Sequence, residues 1–168
     1  MQPLTPNDVQ AVLDKLDLAT TIRFFETPTA TSQQAADNIG CQLGQIVKSI
    51  SFLVADEPII VLTSGDQKVD DRKLATFYNV GRKKVRAADT VQLVEIYGYE
   101  LGSVPPFGHR SAIPTYIDET LGRFDVIYAA GGAHNAIFQI TLTQLEAATR
   151  GTIMDVVREP EANENSAQ

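Results

Sequence analysis

The chain has 168 residues, of which 43% are hydrophobic and 21% charged, values that fit one soluble globular domain with a substantial core. Its formal net charge of -7 argues against a protein that coats nucleic acid non-specifically. Cys41 is the one cysteine, which excludes an internal disulfide and a multi-cysteine metal site. The N-terminus lacks a signal-peptide pattern, and no apolar stretch approaches the roughly 20 residues of a membrane span. We therefore expect a cytoplasmic protein without a membrane partner.

The first half of the chain predicts four helices and two strands. The helices follow capping residues and carry apolar side chains at helical spacing; we expect them over 5–16, 31–40, 70–81 and 90–98. The strands are runs of apolar and β-branched residues, expected over 46–54 and 58–63.

The second half begins with an irregular segment. Residues 102–108 (GSVPPFG) are too rich in Gly and Pro for regular structure and predict an ordered loop. Further elements are an extended run, a strand–turn–strand unit, a helix and a last strand, expected over 113–118, 124–140, 143–149 and 152–157. We predict one α+β domain over residues 1–157, followed by a disordered acidic tail over 158–168.

Lys48 does not fit the strand in which it lies. Alternate side chains of a strand share a face, and this places Lys48 with Ile46, Ile50, Phe52 and Val54, whereas the serines at 49 and 51 lie on the other face. Burying an ammonium is costly, and lysines in such places often act as bases, Schiff-base formers or anchors for anionic groups. The alternative is a lysine near the strand start whose ammonium reaches water.

Two glycine-rich loops could complete a pocket around this lysine. Residues 102–108 and Gly131-Gly132 would present main-chain amides that bind phosphate or ribose oxygens or stabilise an oxyanion, although both could also be plain turns. Asp118 ends an extended run, where it could orient a loop or cap a helix. His109 and His134 lie in these loops without the spacing of a metal site.

A local basic segment contrasts with the acidic whole. Residues 68–86 contain seven basic and two acidic residues, a local charge of +5. Such a strip suits contact with an RNA backbone, and it equally suits a solvated helix and turn.

The ordered set of segments resembles the YbaK/ProX family of aminoacyl-tRNA editing domains over about residues 21–157. The motifs that carry the resemblance are Thr31–Ala36, Ile46–Ile50 with its lysine, Asp71–Leu74, Gly81–Val85, Gly98-Tyr99, and the loop in which Gly102 and Pro106 fall on a GxxxP pattern.

The resemblance implies a mixed β-sheet curved into a barrel-like core and surrounded by helices. It also implies a trans-acting hydrolase that cleaves the ester between a wrong amino acid and tRNA without metal or cofactor. By position, Lys48 would hold the terminal adenosine, the loop after Gly102 would contact the ester carbonyl, and a ribose hydroxyl would accept a proton from the attacking water. The substrate-binding residues would be Thr31, Gly102, Ser103, Val104, Pro105, Pro106, Gly108, Asp118, Gly131, Gly132 and His134. The expected partners are the acceptor end of mischarged tRNA and an aminoacyl-tRNA synthetase, not DNA.

Two departures from the family pattern leave the amino acid open. Pro105 stands where many members have Ser, and residues 133–136 lack a glycine that is often present. Ala, Cys, Ser and Thr all remain candidate cargo. The alternatives to a deacylase are a non-catalytic module that binds aminoacyl-tRNA or a synthetase, and a hydrolase of small aminoacyl esters or nucleotides.

Overall fold

The computed structural model describes residues 1–160, so most of the predicted acidic tail lies outside the described residues. The helices are α1 (Pro6–Lys15), α2 (Ser32–Ile39), α3 (Asp71–Tyr78), α4 (Thr90–Gln92, continued by a π-helical turn over Leu93–Tyr97) and α5 (Leu142–Thr149). The strands are β1 (Arg23–Phe24), β2 (Ile46–Val54), β3 (Glu57–Ser64), β4 (Val85–Ala87), β5 (Thr115–Asp118), β6 (Ile127–Ala130), β7 (Ala136–Ile140) and β8 (Thr152–Met154). Short 3-10 turns occupy Leu43–Gln45, Arg82–Lys84 and Glu119–Arg123.

Capping residues begin and end helix α2 as the sequence predicted. Thr31 Oγ1 accepts a hydrogen bond from Gln34 N at 3.1 Å, and Gln34 Oε1 accepts one from Thr31 N at 3.2 Å. This reciprocal pair satisfies two main-chain donors at the start of α2. Gly40 ends the same helix with φ +80°, a conformation that glycine adopts readily.

The eight strands form one mixed sheet, which confirms the predicted fold class. Their order is β1-β7-β6-β2-β3-β5-β8, and β4 pairs with β2 beside this path. The sheet is not closed, because β1 and β8 stand at its two ends within the described chain. The β2–β3, β6–β7 and β1–β7 pairs are antiparallel, whereas β2–β6, β3–β5 and β5–β8 are parallel.

Strand β2 has a gap along one edge. Its other edge pairs with β3 along almost its whole length. On the gapped edge, β6 pairs with Ile46 and Val47, and β4 pairs with residues 52–54. Within residues 1–160, no strand pairs with residues 48–51 on this side. The sheet therefore splits beside Lys48.

The composition of β2 suggests that the more apolar face, which carries Lys48, is the more deeply buried one. The structure shows instead that the serine face is buried over more of its length. Val47, Ser51 and Leu53, on the serine face, are 3%, 5% and 2% exposed, whereas Lys48 and Ile50 on the more apolar face are only half-buried. Val47 belongs to the larger core cluster, which includes Ile60, Leu62 and Phe138. Ile46 and Val54, at the two ends of the other face, are also buried but belong to the two smaller clusters.

Some boundaries differ from the sequence prediction. Neither β1 nor β4 was expected, and β4 follows the segment interpreted as a basic turn. The last strand ends at Met154 rather than near residue 157, because the chain then turns so that Val157 forms an isolated bridge with Val69. Helix α3 ends at Tyr78, since Asn79 adopts a left-handed conformation with φ +53°.

Candidate active site

A cavity of about 350 Å³ opens at the gap beside β2. Its floor and sides are residues 46–51 of β2, with Ala87 at the end of β4 and Ala88 after it on one flank, and Ala130 of β6 on the other. The segment before α2 and the loop near Gly102 form the remaining wall. The other lining residues are Thr29, Ala30, Thr31, Ser32, Ala35, Leu93, Leu101, Gly102, Val104 and Ile137. The lining is largely apolar, with a few polar groups, as is typical of a small-ligand site.

Lys48 supplies the one charged side chain among these described lining residues. Its ammonium donates a hydrogen bond to the main-chain oxygen of Gln67 and forms no ion pair with any residue from 1 to 160. Burial lowers the pKa of Lys48; the nearby Asp66 opposes this change, and the positive charge of Lys68 adds to it. Lys48 is therefore a half-buried cation with N–H donors left for a ligand.

Asp66 is close to Lys48 but already has a cation as its partner. Its carboxylate accepts hydrogen bonds from Arg123 Nη2 and Nη1 at 2.8 and 3.1 Å. The bonds from Arg123 lower the pKa of Asp66. Both oxygens of the Asp66 carboxylate are bound by the guanidinium group of Arg123. The carboxylate therefore makes no direct contact with the Lys48 ammonium.

The opposite wall is held by close main-chain packing. Gly102, with φ +86°, lies directly against Ala30: a Cβ atom added at Gly102 would be 3.0 Å from Ala30 Cβ and 3.2 Å from Ala30 O. Thr31 lines the cavity while its hydroxyl oxygen caps α2, so its O–H remains able to donate to a ligand. The loop thus packs directly against the segment before α2, with no side chain on the Gly102 side.

His134 joins the two segments of this wall although it does not line the cavity. Its carbonyl oxygen accepts hydrogen bonds from Thr29 N and Oγ1 at 2.6 and 3.3 Å, and its Nε2 donates to Leu101 O at 2.9 Å. Both Thr29 and Leu101 line the cavity. His134 therefore positions the wall from outside.

Three hydroxyl groups near the site have no hydrogen-bond partner within residues 1–160. They are Ser49 Oγ, Ser51 Oγ and Thr63 Oγ1, and all three atoms are buried. The Ser51 hydroxyl is close enough to Tyr97 to oppose the rise in the Tyr97 pKa that burial causes. Sequence reasoning placed these serines on the face opposite Lys48 but gave them no role; polar residues in an otherwise apolar strand were the available signal.

Of the predicted site residues, the structure brings Lys48, Thr31, Gly102 and Val104 together at the cavity. Ser103, Gly132 and His134 lie around a separate cavity of about 320 Å³ beside Pro3–Pro6. The Ser103 hydroxyl donates to Glu100 O at 2.8 Å.

The remaining predicted residues lie in the scaffold. Pro105 and Pro106 are buried, Gly131 packs against Ile22, and Gly108 O accepts a hydrogen bond from the Tyr99 hydroxyl at 2.7 Å. Asp118 is fully buried, and its carboxylate accepts hydrogen bonds from Thr120 N and Val156 N, each at 3.0 Å. None of these residues lines the cavity, and their contacts are with neighbouring segments of the chain.

The basic strip is partly neutralised by ion pairs. Lys73 contacts Asp155 at 2.8 Å, Arg82 contacts Asp71 at 3.0 Å, and Arg86 contacts Asp56 at 3.3 Å. The basic side chains of this strip that form no ion pair with residues 1–160 are those of Lys68, Arg72, Lys83 and Lys84, and all four residues are exposed. A smaller positive surface therefore remains than the sequence count indicated.

Within the described chain, no group of three or more His, Cys, Asp or Glu residues is arranged to hold a metal ion. In the same part of the chain, no helix is both long and apolar enough to cross a membrane.

The comparisons with known proteins agree with this geometry. A family model described as an aminoacyl-tRNA editing domain matches residues 26–148. The uncharacterised protein YwhH of Bacillus subtilis is 35% identical over 122 residues, which cover 72% of this chain and 76% of YwhH. The proline–tRNA ligase of Lactobacillus gasseri is 34% identical over 101 residues, which cover 60% of this chain but 18% of the ligase. A solved structure of a candidate trans-editing enzyme for prolyl-tRNA synthetase superposes with a TM-score of 0.85 at 30% identity, covering 92% of this chain and 97% of the other.

The fold is that of an α+β domain with a cavity in a split of its mixed sheet. The chain belongs to the aminoacyl-tRNA editing domain family.

Proposed function

We propose that the chain is a trans-acting deacylase that hydrolyses the ester joining a wrong amino acid to the 3′ end of tRNA. The observation that carries the proposal is the half-buried, unpaired Lys48 ammonium on the wall of an otherwise uncharged cavity. A cation that is partly withdrawn from water and has free donors is suited to an anionic or strongly polar ligand group.

Lys48 acts in this proposal as an anchor rather than as a general base. Its ammonium donates to the Gln67 carbonyl, and the negative charge of Asp66 favours the protonated form. The remaining donors hold the phosphate or ribose of the terminal adenosine and so orient the ester over the cavity.

The loop at Gly102 faces the ester carbonyl. Gly102 lines the cavity without a side chain to cover its main chain, and main-chain amides there stabilise the negative charge that develops on the carbonyl oxygen. A water molecule attacks the acyl carbon and passes a proton to a free hydroxyl of the terminal ribose. The acyl carbon–oxygen bond then breaks, the departing ribose oxygen takes up the proton that the adjacent free hydroxyl releases, and the products are the free amino acid and uncharged tRNA.

The size of the cavity limits the cargo. Its volume of about 350 Å³ is near the lower end for small-molecule sites, and alanines at positions 30, 35, 87, 88 and 130 line much of it. Small amino acids such as Ala, Cys, Ser and Thr are the expected acyl groups. A synthetase is the expected second partner, because the match to proline–tRNA ligase covers a part of that larger enzyme.

The test is hydrolysis of a panel of tRNAs mischarged with these four amino acids. We expect one or more to be deacylated well above the rate in buffer, and Lys48→Ala to lose that activity. Lys68→Ala is the matched control, because Lys68 is exposed, acts on the Lys48 pKa, and does not line the cavity. Equal activity of wild type and Lys48→Ala would overturn the anchor role.

Two other results would point to the alternative functions. Saturable binding of charged tRNA without hydrolysis would identify a binding module. Cleavage of small aminoacyl esters at a rate insensitive to salt, with no preference for tRNA, would identify a small-ester hydrolase, because phosphate contacts weaken as salt concentration rises.

A further inference from the structure

The gap in the sheet leaves main-chain groups of β2 facing the cavity. Residues 48–51 have no partner strand on this edge within the described chain, because β6 pairing ends at Val47 and β4 pairing begins at Phe52. An unpaired strand edge presents N–H and C=O groups that are ready to pair with another main chain.

The hydrogen bonds beside the gap show which main-chain groups of β2 point into it. Ser51 O accepts a hydrogen bond from Ala88 N at 2.9 Å, on the edge that faces away from β3. Ile60, which lies opposite Ser51 in the register, directs its N–H away from β2 to Pro114 O at 3.0 Å. Main-chain groups of alternate residues point to the same edge of a strand. Ser49 therefore directs both its N–H and its C=O into the gap.

The burial of Ser49 agrees with this orientation. Its Oγ atom is buried without a hydrogen-bond partner, yet the residue as a whole is only half-buried. The accessible surface of Ser49 therefore comes from its main-chain atoms and Cβ, and the residue lines the cavity. The flanks of the gap, Ala88 and Ala130, are small and leave this surface open to the cavity.

We propose that the aminoacyl group of the substrate occupies this gap as one extended residue paired with the main chain of Ser49. Ser49 N–H donates to the ester carbonyl oxygen, and Ser49 C=O accepts from the α-ammonium group. The inference rests on the proposed function, and it makes Ser49 a determinant for esters that carry a free α-amino group.

Pairing with Ser49 affects both the ester carbonyl and the α-ammonium group of the substrate. The Ser49 amide is a second donor to the carbonyl oxygen, in addition to the loop at Gly102, and both donors are fixed before negative charge develops there. None of the described lining residues is acidic, so no carboxylate there competes with the Ser49 carbonyl for the α-ammonium. This pairing is the hydrogen-bonded geometry of two residues opposite each other in an antiparallel sheet.

A substrate comparison tests the ammonium contact. Alanyl-tRNA and propionyl-tRNA differ only by replacement of the α-ammonium with hydrogen, and each rate is divided by the hydrolysis rate of the same ester in buffer. Because a hydrogen bond from a charged group is lost, we expect the normalised kcat/KM to be about 10- to 100-fold lower for the propionyl ester. Equal normalised rates would overturn the inference and leave the deacylase function intact.

Nuclear magnetic resonance tests the contact without turnover. The probe is an adenosine analogue that carries alanine through a 3′-amide, added to protein labelled with ¹⁵N and ¹³C. We expect the Ser49 amide and carbonyl resonances to shift, whereas Leu53, on the same edge but paired with β4, should not shift. Shifts at Lys48 and Gly102 without a shift at Ser49 would contradict the inference.

The two experiments separate failure of the inference from failure of the proposed function. If no ester is hydrolysed, the deacylase function fails, and a shift at Ser49 would still support the contact. If the analogue shifts no resonance of the cavity, the inference fails as well.

Discussion

Gly102→Ala tests whether close packing of the loop against Ala30 builds the site. Gly102 has φ +86°, and its added Cβ would be 3.0 Å from Ala30 Cβ and 3.2 Å from Ala30 O. Gly40→Ala is a matched control because Gly40 has φ +80° and no atom within 4 Å of the added Cβ. Both substitutions place an alanine in the left-handed region, but only the first also creates a steric conflict.

The loss of stability in each variant can be estimated from the cost of the left-handed conformation and the cost of the steric conflict. A left-handed conformation costs an alanine roughly 1–2 kcal/mol, which applies equally to both variants. Overpacking at Gly102 adds about 1–3 kcal/mol, unless the loop moves away from Ala30. We therefore expect the free energy of unfolding, measured by urea denaturation, to fall by about 1–2 kcal/mol for Gly40→Ala and by about 2–5 kcal/mol for Gly102→Ala.

Activity should separate the variants more sharply than stability does. A loop displaced by up to about 1 Å misplaces the amides that face the ester, and such an error can cost roughly 100-fold in rate. We expect kcat/KM for the best mischarged tRNA to fall by about 10- to 100-fold in Gly102→Ala and to stay unchanged in Gly40→Ala. If the two variants behave alike in both assays, contact with Ala30 does not position the loop.

Lys48, Asp118 and the basic strip can each be tested by substitution. Lys48→Met should abolish deacylation yet raise the free energy of unfolding near neutral pH, because burial lowers the Lys48 pKa and the charged form is disfavoured in the folded state. That gain in stability should shrink as pH rises from the lowered pKa of Lys48 in the folded protein toward its ordinary value, because the wild-type ammonium then loses its proton. Urea denaturation at neutral and alkaline pH measures the gain, and a gain that grows with pH would contradict the prediction. Asp118→Ala should lower the free energy of unfolding by roughly 3 kcal/mol or more, because two main-chain N–H groups lose their acceptor. The KM of the folded variant should be unchanged. A raised KM without loss of stability would instead indicate that Asp118 contacts the substrate. The double substitution Lys83→Glu and Lys84→Glu should raise KM for charged tRNA and make that KM less dependent on salt concentration. The rate of hydrolysis of a small aminoacyl ester should stay constant. An unchanged salt dependence would show that the basic strip does not contact tRNA.

Local sequence features predicted most of the helices and strands. Thr31 with Gln34 at the start of α2 and Gly40 at its end are signals contained within a few residues, and the apolar run of β2 is equally local. Lys48 was recognisable for the same reason, because an ammonium within an apolar strand is costly wherever the strand lies.

The candidate site was only partly predictable. The Gly102 loop was identified from its composition and from resemblance to the family, but the contact with Ala30 that holds it joins distant parts of the chain. The role of Asp118 was open in the sequence and depends on Val156, which reaches it only after the chain has passed through β8.

The sequence by itself identified a strand with a misplaced cation, an ordered loop rich in Gly and Pro, and a resemblance to a family of editing domains. Only the tertiary structure decided that β6 and β4 pair with the two ends of β2 and leave Ser49 open between them. Strand pairing is specified by contacts between segments far apart in the chain, so no local pattern around residue 49 could reveal it. The same long-range packing made the serine face of β2 the deeper one, contrary to its composition.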